Sequence, residues 1–227
     1  AETARKDLRY GQVLIAADSD VDGKHIIGLI ANYFDVRFRS LLLGGFVRYL
    51  RTPILRARKG KECHCFLTAG QYEEWVKVTP DHQKWSTFYY KGLGTSKDQD
   101  VEEDLKDPFH VVMVYDEGAE KNLQLAFDKD FRDARKKWIF DHSDVVVPLE
   151  RIEPITQFIN ADLIEYSIAN VQRSIPNMMD GLKESQRKII HYLISHYKGS
   201  SAKKVIKVAQ LGAATASETN YHHGEGN

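Results

Sequence analysis

The chain has 227 residues, 42% hydrophobic and 28% charged, with Lys+Arg and Asp+Glu matched at 32 each. That length holds one large domain or two smaller ones with a proper core. No apolar run approaches a membrane span, no secretory signal is read in the opening residues, and Cys63 and Cys65 lack the second pair of a structural zinc site. The spacing of these cysteines instead puts them on one face of a strand, in an intracellular, reduced protein.

The first predicted element is a strand at Val13-Leu14-Ile15-Ala16-Ala17, short and aliphatic as a strand buried on both faces would be. It runs into Asp18-Ser19-Asp20-Val21-Asp22-Gly23, with a carboxylate at every second position. A helix follows over about 25–38, with Ile26, Ile27, Ile30, Phe34 and Phe38 at helical spacing, and Gly44-Gly45 ends that segment. Ile54–Arg58 and Cys63–Leu67 read as a strand pair joined at Lys59-Gly60-Lys61. Phe88-Tyr89-Tyr90, the loop 91–96 and a helix come next, with Ser96 and Gln99 as the expected capping box. Phe109–Tyr115 reads as a further strand, followed by charged helices that end near Trp138.

A boundary is expected between Asp141 and Pro154, dividing the chain into residues 1–145 and 146–227. Beyond it, 162–173 and 182–195 have helical spacing, and Pro176 stops them from being continuous. A shorter helix is expected from Lys203 to Leu211 or somewhat beyond. Consecutive short helices carrying bases suit a helix-turn-helix or winged-helix module. The balanced charge also hides a division of sign. Residues 183–207 carry seven bases against Glu184, and residues 98–107 carry six acids against Lys106. An acidic half and a basic half point to metal handling in one and polyanion binding in the other.

The acids of 18–22 have three readings. A calcium-binding helix-loop-helix needs a Glu at the twelfth loop position, where Leu29 stands, and a preceding helix, so it fails. An Asp-rich turn explains the residue types but crowds like charges. A catalytic magnesium site uses hard oxygen donors at the carboxyl end of a strand, where open α/β sheets place their ligands.

The motifs then become specific. Leu8-Arg9-Tyr10-Gly11, the acidic loop with His25-Ile26, Thr52-Pro53-Ile54 and residues 89–96 (Tyr-Tyr-Lys-Gly-Leu-Gly-Thr-Ser) appear in order. Arg135-Lys136-Lys137-Trp138, Phe158-Ile159-Asn160, Arg173-Ser174-Ile175-Pro176-Asn177 and residues 180–188 (Asp-Gly-Leu-Lys-Glu-Ser-Gln-Arg-Lys) follow. Lys207–Leu211 and residues 221–225 (Tyr-His-His-Gly-Glu) complete the series. In this order the blocks resemble the central cleavage core of type IIA DNA topoisomerases, in the fused form of eukaryotic and large-virus enzymes.

The resemblance implies an α/β TOPRIM (Rossmann-like) domain over 1–145 and the start of a mainly helical winged-helix segment over 146–227. It implies that Asp18, Asp20 and Asp22 hold Mg²⁺ (Mn²⁺ or Ca²⁺ as substitutes), and that Arg187, His222 and His223 approach the scissile phosphate. Lys91, Arg135, Lys136, Lys183, Lys203, Lys204 and Lys207 would hold the phosphates of double-stranded DNA. The parent would be an ATP-dependent homodimer with no membrane association. It would work in a DNA-containing compartment: the nucleus if cellular, the host-cell replication site or virion if viral. The nucleophilic tyrosine, the upstream Glu-Gly-Asp-Ser block and the ATPase domain have no counterpart in these 227 residues, so this stretch alone is expected not to cleave DNA. Arg9-Tyr10 and Arg48-Tyr49 lie in the first domain and do not replace that tyrosine.

The chain departs from the family pattern at Lys24, where Ser is usual, at Val21 and at Lys137. A cation at Lys24 would either compete with the metal or supplement it. Two other readings remain. A TOPRIM nuclease would use the same acids without explaining the second half, and a non-catalytic DNA-binding scaffold would leave the acids idle.

Overall fold

The computed structural model describes residues 8–90, 97–141, 149–197 and 205–221. The chain forms two compact units, residues 1–167 and 168–227.

The first unit is built on a four-stranded sheet in the order β1-β2-β6-β7. β1 (Val13–Ala16) runs parallel to β2 (Val47–Arg51), and β2 runs antiparallel to β6 (Phe109–Val114). β6 then pairs in parallel with β7 (Ile152–Pro154). Register aligns Ile15, Tyr49 and Val111 in one row, all buried. β1 departs from expectation because it is an edge strand, and Leu14 on its other face is 38% exposed. β2 and β7 went unread in the sequence, because Arg48 and Arg51 break the apolar run of β2 and β7 is only three residues long.

Helix α1 (Val21–Leu43) packs on β2 and β6. It is longer than expected because it begins inside the acidic motif, where Asp20 caps it. A non-helical Phe38 (φ −141°, ψ 42°) kinks it where the spacing predicted an end. Gly45, at φ +66°, takes the left-handed conformation needed to turn into β2. Gly28 lets α1 approach its neighbours closely, since a Cβ there would lie 3.0 Å from Phe127 and 3.2 Å from Leu163.

A second sheet, ordered β4-β3-β5, is antiparallel throughout. β3 (Leu55–Lys59) and β4 (Glu62–Phe66) form the expected hairpin, with Gly60 at φ +61° in the turn, and β5 (Ser86–Tyr89) closes the sheet. One face buries Leu55, Ala57 and Phe66 against Tyr72, Trp75 and Trp85. The two former aromatics belong to α2 (Ala69–Val78), which a Thr68/Gln71 capping box starts.

The other face carries Arg56 and Arg58 towards α3 (Asp98–Lys106). The N-cap of α3 is Lys97 with no side-chain cap bond, so the expected Ser96/Gln99 box is not the start of this helix; Ser96 itself lies outside the described residues.

After β6 come α4 (Ala119–Phe127) and α5 (Arg132–Asp141). Beyond β7, α6 (Ile155–Phe158) runs through a π-helical turn, Ile159–Leu163, into α7 (Ile164–Ser174). Buried Phe158, Ile159 and Leu163 bring this segment to α1, while α6 also packs on α4. Because β7 completes the first sheet, the division between units falls at 167/168, not near 145.

The second unit contains α8 (Glu184–His196) packed on α9 (Val208–Glu218). The expected Lys203–Leu211 helix therefore starts later and runs further, and no strand occurs among the described residues of this unit.

Candidate metal centre and nucleic-acid interface

The acidic motif is the junction of β1 and α1. Asp20 is the N-cap of α1, its Oδ1 accepting from the Gly23 amide at 2.8 Å, and Asp22 lies in the first turn. Carboxylates here also meet the positive end of the helix dipole. Gly23 is required by contact, since a Cβ there would lie 1.9 Å from the Asp18 carbonyl oxygen. Ser19 ties the motif to the strand end beyond β2, its hydroxyl donating to the Thr52 carbonyl at 2.9 Å and lying 2.6 Å from the Thr52 hydroxyl.

The far side of the junction is held as tightly. Lys24 Nζ lies 3.2 Å from Asp162 Oδ1 and 2.5 Å from Glu165 Oε2. The neighbouring His25 ring stacks on Tyr166 at 3.9 Å and 6°. Asp162 is 1% exposed and also accepts from Arg51 Nη2 at 2.7 Å. Arg51 continues the chain to Glu153 at 3.4 Å and donates to the Tyr49 hydroxyl, which itself donates to Glu153. Burial and the nearby Asp162 carboxylate push the Glu153 carboxyl up to about 7, against the opposing pull of Tyr49 and Arg51.

Asp18, Lys24, Arg51, Thr52, Thr68 and Asp162 line part of a cavity of about 440 Å³. Sequence reading missed Arg51, Asp162 and Glu165. The available signal was an acid at 162 set among Ile159, Leu163 and Ile164, a position too apolar for an unpaired charge.

No group of three or more His, Cys, Asp or Glu side chains converges on a metal-sized point among the described residues. The donor set fits Mg²⁺ even so, because that ion keeps several waters and takes only one or two carboxylates beside substrate phosphates. Asp18 and Asp20 are both solvent-accessible carboxylates on a junction tied at Ser19, Gly23 and Lys24.

The acidic run 98–107 has another fate. Arg56, 1% exposed, pairs with Asp104 and lies 3.5 Å from Glu103, while Arg58 pairs with Asp100. The Tyr90 hydroxyl donates to Asp100 at 2.6 Å. Burial opposes ionisation of Asp100, but Tyr90 and the two arginines still hold its carboxyl below the usual range. These acids fix α3 to the sheet, which corrects their expected part in metal handling.

Arg135 also has a structural contact, its Nη1 donating to the carbonyls of Leu125, Ala126 and Asp128 at 2.8–3.1 Å, where it caps the end of α4. The Trp138 and Asn160 motifs are explained in the same way. The indole donates to Asn160 at 2.7 Å, and Asn160 donates to Asn122 and to the Thr156 carbonyl. Lys136 is exposed and 3.2 Å from Asp133.

In the second unit, Arg187 lies 2.7 Å from Asp180, an exposed pair that raises the guanidinium and lowers the carboxyl. Asp180 sits in a turn closed by Asn177 to Leu182 and by Gly181 at φ +69°. Lys183 and Lys207 occupy the N-cap positions of α8 and α9, both exposed, where amide ends and ammonium groups would together favour phosphate. Lys91, Lys203, Lys204, His222 and His223 lie outside the described residues.

The fold and these residues define a TOPRIM-type α/β unit with its trailing helices, followed by a helical module of the topoisomerase DNA-gate kind. Residues 50–171 match the family model for the C-terminal associated domain of TOPRIM, and residues 173–227 match a family model for DNA gyrase/topoisomerase IV. DNA topoisomerase 2-alpha of Homo sapiens is 37% identical over 241 residues, spanning 99% of this chain and 16% of the relative. DNA topoisomerase 2 of Bombyx mori is 37% identical over 97% of this chain and 15% of its own length. The solved DNA-binding, cleavage and re-ligation domain of Plasmodium falciparum topoisomerase II superposes with a TM-score of 0.79 at 34% identity, covering 98% of this chain and 30% of that one. The chain belongs to the type IIA DNA topoisomerase family and corresponds to part of its cleavage core. It spans less than a fifth of the length of these curated relatives.

Proposed function

We propose that this chain supplies the metal and DNA-backbone contacts of an ATP-dependent type II DNA topoisomerase. The enzyme would make a transient double-strand break through a tyrosyl-DNA link and pass a second duplex. The observation that carries this reading is the acidic junction, held at Ser19, Gly23 and Lys24 so that Asp18 and Asp20 present oxygen donors to solvent.

Asp18 and Asp20, with Asp22 adjoining, would hold Mg²⁺, with Mn²⁺ or Ca²⁺ as substitutes. When bound, the ion supplies charge neutralisation at phosphate and at the leaving oxygen. Arg187, His222 and His223 donate hydrogen bonds to the scissile phosphate as negative charge develops on it. For Arg187 this requires exchanging Asp180 for phosphate, a low-cost step because both partners are exposed. Lys183, Lys207, Lys91, Lys203, Lys204 and Lys136 hold the duplex by its phosphates and position it without reading sequence. The carbonyls that Arg135 caps give it a supporting part beside them. The parent acts as a homodimer, since two strands require two equivalent sites, in a DNA-containing compartment.

The test is the full-length protein, with and without Asp20→Asn, incubated with supercoiled plasmid and Mg²⁺ and then denatured rapidly. Linear DNA covalently attached to protein, lost in the variant, is the expected result. Cut DNA free of protein would instead identify a nuclease, and binding without cutting in either protein a scaffold.

A further inference from the structure

Among the described residues, Lys24 is the one lysine in the wall of the junction cavity, which it shares with Asp18. Its ammonium is not directed at the acids of 18–22; it bridges two carboxylates of another element, Asp162 and Glu165. Those two are three residues apart, the spacing that puts side chains on one helical face. Asp162 lies in the π-helical turn, a rare geometry met mostly as single turns and often at functional sites. There its buried carboxylate stands between Lys24 and Arg51.

The element gripped this way is the first turn of α1, which carries Asp20 as cap and Asp22. First turns have amides without intrahelical partners and fray readily. This one has an N-cap bond, and beyond it the Lys24 bridge and the His25–Tyr166 stack fasten it to the helix behind. The Ser19–Thr52 bond secures the opposite side of the same loop.

We infer that Lys24 is a positioning residue for divalent-cation binding, a tether that fixes the acidic junction through Asp162 and Glu165. This deepens the proposed function and rests on its metal reading. A tether and a competing charge make opposite predictions. If Lys24 acted only as a nearby positive charge, removing it would tighten binding of a dication. If it acts as a tether, removing it loosens the junction and weakens binding, despite the gain in negative charge. Loss of an outer-shell partner generally costs 10–100-fold in metal affinity. Salt screens the charge effect at exposed sites and leaves the tether effect standing.

The experiment is Mn²⁺ binding to the full-length protein without DNA, read by electron paramagnetic resonance at about 0.3 M salt, where the Debye length is well under 10 Å. Wild type is compared with Asp20→Asn, Lys24→Met, Lys24→Arg and Glu165→Gln. The tether predicts roughly tenfold weaker Mn²⁺ binding in Lys24→Met and recovery in Lys24→Arg. Glu165→Gln is expected to weaken binding less, because Asp162 still holds the ammonium, and it serves if Lys24→Met folds poorly. Combining Glu165→Gln with Lys24→Met should add nothing, since the tether is already gone. Unchanged or tighter binding in Lys24→Met overturns the tether alone. Wild-type binding indifferent to Asp20→Asn overturns the metal reading on which it rests.

Discussion

The acids of 98–107 face arginines on a neighbouring strand, whereas the acids of 18–22 stand at the end of one strand and the start of a helix. In the first stretch Asp100, Glu103 and Asp104 neutralise Arg56 and Arg58, and α3 is thereby fastened to the second sheet. In the second, the neighbouring cation Lys24 is drawn to Asp162 and Glu165, and Asp20 makes a backbone cap. Density of carboxylates is alike in the two, but the element opposite decides what they do. A facing cationic strand converts acids into packing, and a helix start held from behind leaves them able to receive a cation.

The comparison breaks most visibly if Arg56 is removed. Arg56→Met keeps much of the volume but strands Asp104 and the Asp100 carbonyl, to which Arg56 also donates. Breaking one side of a buried pair costs about 3–5 kcal/mol, so a fall of that size in denaturant stability is expected. Divalent-cation binding, measured on the folded fraction, should not change, because none of these groups lines the junction cavity. A parallel loss of metal affinity would show that the two acidic regions are not independent.

Gly23→Ala attacks the other side. The added methyl would meet the Asp18 carbonyl at 1.9 Å, so the loop must move. Overpacking of this kind costs about 1–3 kcal/mol. Here stability and Mn²⁺ affinity should fall together, and circular-dichroism melts beside metal titrations test that coupling. An alanine that leaves both unchanged would mean the close approach of Asp18 to the helix is dispensable.

Much of this contrast was legible beforehand, and the rest was hidden for particular reasons. The aliphatic run before Asp18, the Gly60 hairpin and the helical spacing after Gly23 were readable because each is local. The sides of an ion pair are not. Arg56 and Asp104 are 48 residues apart, and Lys24 and Glu165 are 141 apart. A charge run therefore reads the same whether it is solvated, paired or poised for a ligand. Strand β2 was obscured because Tyr49 and Arg51 combine apolar burial with a polar network, so that alternation fails where the site is supported. Motif order identified the cleavage core, but the same motifs include Arg135, Trp138 and Asn160, whose bonds are internal.

Glu153 offers a smaller effect, tied to pH. Its carboxyl is raised from 4.5 to about 7, so the folded state binds this proton more readily than the unfolded chain does. Stability from this group is thus fully present below about 4.5 and is lost as pH rises through about 7. Glu153→Gln should flatten that part of the stability profile and be relatively more favourable at pH 8 than at pH 5, by on the order of 2 kcal/mol. Urea denaturation at a series of pH values is the measurement. A variant that keeps the wild-type slope between pH 5 and 7 would assign that slope to other groups.

The smallest stability change, and the sharpest separation of structure from chemistry, is expected at Asp20. Asn and Asp are about equal as N-caps, and the amide oxygen of Asn can accept from Gly23 as Asp20 Oδ1 does. Asp20→Asn should therefore stay within about 0.5 kcal/mol of wild type, whereas Asp20→Ala should lose about 1 kcal/mol with the cap. Both remove the negative charge, so Mn²⁺ binding should weaken equally in the two. If Asn restores stability and metal binding together, capping alone accounts for Asp20, and the junction would belong with α3 as acids used for packing. If it restores only stability, the same side chain holds the helix start through one oxygen and serves a cation through its charge.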